Sequence, residues 1–145
     1  MTDTSMLNDL FSFALDALDV HSLLFFSERN QTGDARLRIA RSRGNIDSNA
    51  VIKPGKGLVG WILRNKKQLV VNSMQNVQGY LTYYPNDSQP LVRAFMGCHM
   101  PGTGILCADS LEENFFSSEK QRLFTKFAAL LVQACYVCEE QSESH

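Results

Sequence analysis

Two apolar runs, residues 91–100 and 103–110, flank Pro101-Gly102, and this arrangement limits the fold more than any other stretch. Proline fixes φ and glycine accepts the positive φ of tight turns, so the runs read as the two strands of a β-hairpin. Antiparallel pairing follows. With the turn taken at Gly102-Thr103, Cys98 stands opposite Cys107, and directly opposed residues share a face. His99 then points to the other face, because successive strand residues alternate.

The remaining segments build a layered domain around that hairpin. Residues 4–19 read as an amphipathic helix with Leu7, Leu10, Phe11, Ala14 and Leu18 in one stripe and Thr4 or Ser5 as its cap. Residues 20–28 are apolar on both sides, as a central strand is, and His21 there reads as a core histidine. The cluster from Asn30 to Asp34 turns the chain. Leu37 and Ile39 then alternate with Arg36, Arg38 and Arg41 in a half-exposed strand. A short strand at 50–53 leads to the break Pro54-Gly-Lys-Gly57, a short helix at 58–65 with Leu58, Trp61 and Ile62 on one side, and a strand at 68–72. Residues 73–90 form a long loop with Tyr80, Tyr83, Tyr84 and a single charge, Asp87. Loops of that length in a compact domain are commonly lids or binding loops.

The last element is a helix over 119–140, with Ser118 and Gln121 at capping-box spacing. It bears two apolar seams, one of Leu123, Phe127, Leu130, Ala134 and Val137, the other of Phe124, Ala128, Leu131, Cys135 and Cys138. One seam suffices to cover a sheet. The second needs the N-terminal helix or a second copy, and a homodimer through Leu123, Phe127, Leu130, Ala134 and Val137 is predicted.

The fold class is therefore α+β: a central antiparallel sheet of five to six strands, terminal helices on one face, and the short helix and long loop on the other. The 145 residues fit one domain, with a core over about 5–138 and a polar tail at 139–145. Net charge is −1 and the basic residues are scattered, so nucleic acid is not an expected partner. No segment is apolar enough to cross a bilayer and no signal peptide is evident. The four cysteines then point to free thiols in the cytoplasm.

Several pieces together resemble the GAF domain family. Pro54-Gly-Lys-Gly-Leu-Val-Gly-Trp-Ile62 resembles the family's turn and short helix, and Gln68-Leu-Val-Val-Asn72 the strand after it. Arg93-Ala-Phe-Met-Gly-Cys-His-Met100 and Gly104-Ile-Leu-Cys-Ala-Asp-Ser110 resemble its two late strands. Asn114-Phe-Phe-Ser-Ser-Glu-Lys-Gln-Arg-Leu-Phe124 is similar to its closing capped helix. The resemblance covers roughly 5–138. It implies a PAS-like (profilin-like) sheet, a small-molecule pocket opposite the terminal helices, and a sensory or dimerising role in signalling. Trp61, Tyr80, Tyr83, Tyr84 and Phe95 are the expected pocket-wall residues.

Specific chemistries of the family fit less well. Cys98-His99 sits within a late strand, not where bilin-binding GAF domains carry their cysteine. Asp109-Ser110 stands where an Asn-Lys pair marks cyclic-nucleotide binders. Free methionine-R-sulfoxide reductases place cysteines where this chain has Val51, Val59 and a cysteine-free loop. Cys135 and Cys138 fall near a helix C-terminus, where the dipole disfavours a thiolate. Pro54-Gly-Lys-Gly57 is too compact for a P-loop. The expectation is thus a sensory or regulatory domain without enzymatic activity, metal or cofactor, coupled to an effector domain or protein. The alternatives are a thiol redox enzyme or sensor using Cys98 with Cys107, and a purely structural dimerisation module.

Overall fold

The computed structural model describes the backbone of residues 2–29, 31–74, 80–85 and 89–143, and the side chains of those that lie between 5 and 135. Asn30, Asp87 and the side chains of Val137 and Cys138 lie outside the described residues. The elements run α1 (Thr2–Leu18), β1 (Ser22–Glu28), β2 (Ala35–Ser42), β3 (Val51–Ile52), α2 (Gly57–Asn65), β4 (Leu69–Val71), β5 (Ala94–Met100), β6 (Gly104–Ser110) and α3 (Ser118–Glu143). The strands form one six-stranded sheet in the order β3-β2-β1-β6-β5-β4, with every neighbouring pair antiparallel.

Sequence explains that order. β6 is buried along its whole length and β1 along its first five residues, so both need neighbours on each side and covers above and below. The strands at the two edges, β3 and β4, are the shortest, which limits exposed edge length. Odd and even positions of the central strands feed two separate cores. Leu23, Phe25, Met96, Leu106 and Ala108 pack on α1 and on the α3 seam Phe124, Ala128, Leu131 and Cys135. Leu24, Phe26, Phe95, Ile105 and Cys107 face the other way, onto Val59, Ile62 and Leu63 of α2 and onto Met74, Leu81, Tyr83 and Tyr84 of the long loop. The terminal helices thus share one face and the short helix and loop take the other, as the α+β reading has it.

Five expectations need correction. Helix α1 begins at Thr2, so Thr4 and Ser5 lie inside it and do not cap it. The cap of α3 is Ser117, whose Oγ accepts from the Lys120 amide at 3.3 Å, one residue before the expected Ser118. α3 continues to Glu143, so the segment from 139 is largely helical and not a tail. On α2 the inward residues are Val59, Ile62 and Leu63, which leaves Trp61 39% exposed on the outer side.

The fifth correction reaches the hairpin. It is closed by Met100 opposite Gly104, with Pro101, Gly102 and Thr103 in the loop and the Thr103 amide bonded to the Met100 carbonyl at 2.9 Å. The loop is one residue longer than the expected two-residue turn. Cys107 therefore pairs with Gly97, and Cys98 with Leu106. A one-residue slip exchanges the faces of a strand. Cys98 packs against the helix-side core and Cys107 lies in the opposite one. The Cys98/Cys107 pair needed for an internal disulfide does not form.

Candidate functional site

The loop-covered face of β6 alternates Ile105, Cys107 and Asp109, and the last of these puts a carboxylate where the pattern calls for an apolar side chain. Its cross-strand partners are Ser22 on β1 and Phe95 on β5, both wholly buried. Asp109 itself is 0% exposed. A carboxylate in such a place is costly unless donors surround it.

The long loop brings two of those donors. The Tyr83 and Tyr84 hydroxyls each donate to Asp109 Oδ2 at 2.6 Å. The Tyr84 hydroxyl also lies 2.7 Å from Ser22 Oγ, which lies 2.7 Å from Ser42 Oγ. With the Tyr84 proton directed at the carboxylate, Ser22 donates to Tyr84 and Ser42 to Ser22. Hydroxyl-to-carboxylate bonds are among the short, strong ones. The two rings pack with centroids 4.9 Å apart. The loop is held down by backbone bonds as well: the Asp47 amide to the Tyr83 carbonyl at 3.0 Å, and the Leu58 amide to the Tyr80 carbonyl at 2.9 Å.

Two polar atoms stand out against this satisfied network. Asp109 Oδ1 and His21 Nε2 are buried and meet no hydrogen-bond partner among the described residues. Burial raises the Asp109 carboxyl to about 6, although hydrogen bonding by Tyr83, Tyr84 and Ser22 pulls the other way. Burial and the adjacent carboxylate push Tyr83 and Tyr84 upward, so both remain donors. His21 is held below its ordinary value by burial and by the Arg43 guanidinium.

Burial raises the Cys98 thiol to about 11, and burial together with the Asp109 charge also drives the Cys107 thiol well above its ordinary value. Neither is a thiolate at neutral pH, and the two face opposite sides of the sheet. Mild peroxide treatment should therefore give no Cys98–Cys107 disulfide. Intact mass and peptide mapping check this, and a bridge linking the two peptides would contradict the register. Among the described residues no group of three or more His, Cys, Asp or Glu side chains is placed to hold a metal ion. No helix there is long and apolar enough to cross a membrane.

Of the expected wall residues, the structure gathers Tyr83, Tyr84 and Phe95 around Asp109. Trp61 and Tyr80 sit on the outer surface, 39% and 51% exposed. Asp109 is the residue sequence reading passed over. Its signal was a charge in register with Ile105 and Cys107 on an otherwise apolar strand. Of the predicted dimer seam, Leu123 and Leu130 are exposed and Ala134 is half-buried, while Phe127 turns inward to meet the Phe11 ring edge-on at 5.5 Å.

No protein-family profile and no curated protein matches the chain. Solved structures do match. The free methionine-R-sulfoxide reductase from Neisseria meningitidis, in complex with its substrate, aligns with a TM-score of 0.76 at 15% identity, covering 96% of this chain and 81% of that one. The GAF domain of a phosphoenolpyruvate-protein phosphotransferase from Coxiella burnetii aligns with a TM-score of 0.76 at 17% identity, covering 98% and 86%. The type II free methionine-R-sulfoxide reductase from Thermoplasma acidophilum gives 0.73 at 15%, covering 92% of each chain. These overturn the expectation that the chain is not an enzyme. Two of these three proteins are reductases with the same fold, so the fold gives no ground for that exclusion.

Proposed function

Because the chain has the GAF fold, we propose that it binds a small, amine-bearing molecule on the loop-covered face, with Asp109 as the anchor. The observation that carries this reading is a wholly buried carboxylate with one oxygen unpartnered, held under a loop by two tyrosine hydroxyls. A charge kept in a core against its desolvation cost is a mark of a working site more than of a packing residue. Tyr83 and Tyr84 occupy the donor positions that a ligand ammonium would share or take over. The apolar surround of Phe95, Ile105 and Cys107 suits an aliphatic body on that ligand. Ligand entry lifts the long loop, and the loop's ties to α2 and to residues 43–50 pass the displacement into the sheet.

A homodimer through the outer seam of α3 completes the reading, with an effector domain or protein responding to its geometry. Leu123 and Leu130 support this seam, being apolar and 42% and 61% exposed. The thiols suit a reducing, cytoplasmic setting. Native mass spectrometry of freshly purified protein tests both parts. The expected spectrum shows twice the chain mass, a monomer for the Leu123→Asp, Leu130→Asp variant, and an adduct of amino-acid size. A monomeric wild type removes the dimer, and an adduct unaffected by Asp109→Asn removes the anchor.

A second reading is favoured by the reductases that share the fold: thiol chemistry on a small sulfur compound. Cys107, on the same face as Asp109, is the thiol that supports it. Reduction of a sulfoxide consumes two thiol equivalents and yields the thioether, a disulfide and water, with dithiothreitol as the added reductant. Methionine formed from free methionine-R-sulfoxide by the wild type and not by Cys107→Ser would establish it. No turnover above the reductant alone would remove it.

A further inference from the structure

The outer edge of β2 is only partly covered. β3 pairs with Ala35 and Arg36, and the Leu37 amide bonds the Ala50 carbonyl at 3.1 Å. β2 runs on along β1 as far as Ser42. From Arg38 to Ser42 its other edge meets no strand among the described residues. The connection 43–50 does not lie along it: it swings to the loop-covered face, where Asp47 bonds Tyr83. What remains is a cleft of about 360 Å³ between Asn8 of α1 and Ile46 and Ser48 of the connection, floored by residues 37–41. A second cleft of about 290 Å³, reaching Arg36 and Val51, shares Leu37 and Ser48 with the first.

The charge along this edge is lopsided. Arg43 is paired with Asp16 at 3.4 Å, and Arg41 is tied to Ser12 Oγ at 2.8 Å. Arg36 and Arg38 are exposed, and no carboxylate of the described residues lies within ion-pair distance of either. Arg38 extends over the Phe25 ring, on the helix side of the sheet, with its charge 6.0 Å from the ring centre. The opposite side of the same edge is apolar, with Leu37, Ala40 and Ile46 half-buried against the other core. One side of the lane is cationic and the other greasy.

We propose that this edge receives a short extended peptide of alternating acidic and apolar residues, added as a strand in the lane that β3 begins. Strand addition uses the backbone for affinity and alternate side chains for selection. An acidic side chain would face Arg38 and, at the end next to β3, reach Arg36 on the same side, while apolar ones would meet Ala40 and Ile46. A second copy of this chain is a poor occupant, because pairing β2 with itself brings two arginine-rich edges together. The extra residue at Arg38, where the register with β1 shifts, also disrupts indiscriminate pairing. The Ala40 carbonyl already accepts from Arg41 at 3.2 Å and keeps a second lone pair for an incoming amide.

The test uses a fluorescein-labelled hexapeptide of alternating valine and glutamate, with alternating valine and lysine and a hexaglutamate as controls. Anisotropy should show saturable, salt-weakened binding of the valine–glutamate peptide alone. Affinity should fall roughly tenfold or more in Arg36→Glu, Arg38→Glu, and by less in Arg36→Gln, Arg38→Gln, both with unchanged melting. Amide exchange should slow at residues 38–42 of the full chain. Absence of binding, equal binding of hexaglutamate, retention in the charge-reversed variant, or protection elsewhere would each overturn the proposal.

Discussion

Gly104→Val should leave the domain unfolded or cost more than about 4 kcal/mol. Gly104 closes the β5–β6 hairpin at φ 149°, a conformation side chains rarely adopt. A Cβ there would stand 2.0 Å from the Phe26 carbonyl oxygen and 3.0 Å from the Ser27 Cα, both rigid backbone in the neighbouring strand. The chain cannot yield without opening β1 from β6, the two strands at the middle of the sheet. Urea denaturation followed by circular dichroism measures the loss. Gly102→Val in the same loop is the control: its φ is also positive, but nothing lies within 4 Å, so only conformational strain of about 1–2 kcal/mol is expected. Equal effects at the two positions would show that strain alone, and not the close approach, decides the outcome.

Asp109→Asn should flatten the stability profile between pH 4 and 7 and leave the protein at pH 7 no less stable than the wild type. The folded carboxyl is raised by burial to about 6 from its ordinary 3.8. Its contribution is thus fully present below about pH 4 and is lost as pH rises through 6. Between those limits the folded state binds more protons, so stability falls by on the order of 3 kcal/mol toward neutrality. His21 acts with the opposite sign: its value is lowered, so its contribution is lost as pH falls below its ordinary 6.5. That group is only partly shielded from solvent, so its effect is the smaller, and His21→Gln removes it. Wild-type stability should rise from pH 7 to pH 5, more steeply in His21→Gln and not at all in Asp109→Asn. A carboxylate that served only to hold Tyr83 and Tyr84 would give the reverse at pH 7, with the asparagine variant clearly less stable.

The architecture was legible because its signals are local and repeated. The apolar stripe of α1, the double seam of α3 and the Pro-Gly hairpin each follow from spacing, and together they leave few ways to stack helices on a sheet. The turn length was not legible. Pro101-Gly102-Thr103 closes at Gly104 because that position takes a φ open to glycine alone, and a second glycine two residues on gives no sign of which closes the turn. That single residue decides whether Cys98 and Cys107 meet. The site was legible in part. Tyr83 and Tyr84 were marked by sitting in a long loop, but Trp61 and Tyr80 carry the same aromatic signal and lie outside, since only the helix phase and the fold of the loop decide which rings turn inward. Asp109 was hidden by proximity to a strand end, where an exposed charge is ordinary. Its burial comes from the loop crossing above it, a contact made across about twenty-five residues of chain that no spacing rule reveals.

The most direct measurement of Asp109 as a ligand anchor is a thermal-shift titration of the wild type and Asp109→Asn at pH 7.5 against the twenty free amino acids, methionine sulfoxide and short aliphatic amines. A ligand at about a hundred times its dissociation constant stabilises by about 2.7 kcal/mol, which for a domain of this size is a rise of several degrees. The expected result is at least one such rise in the wild type that disappears in Asp109→Asn. A rise of equal size in both proteins, or none in either, would contradict the buried carboxylate as the binding group.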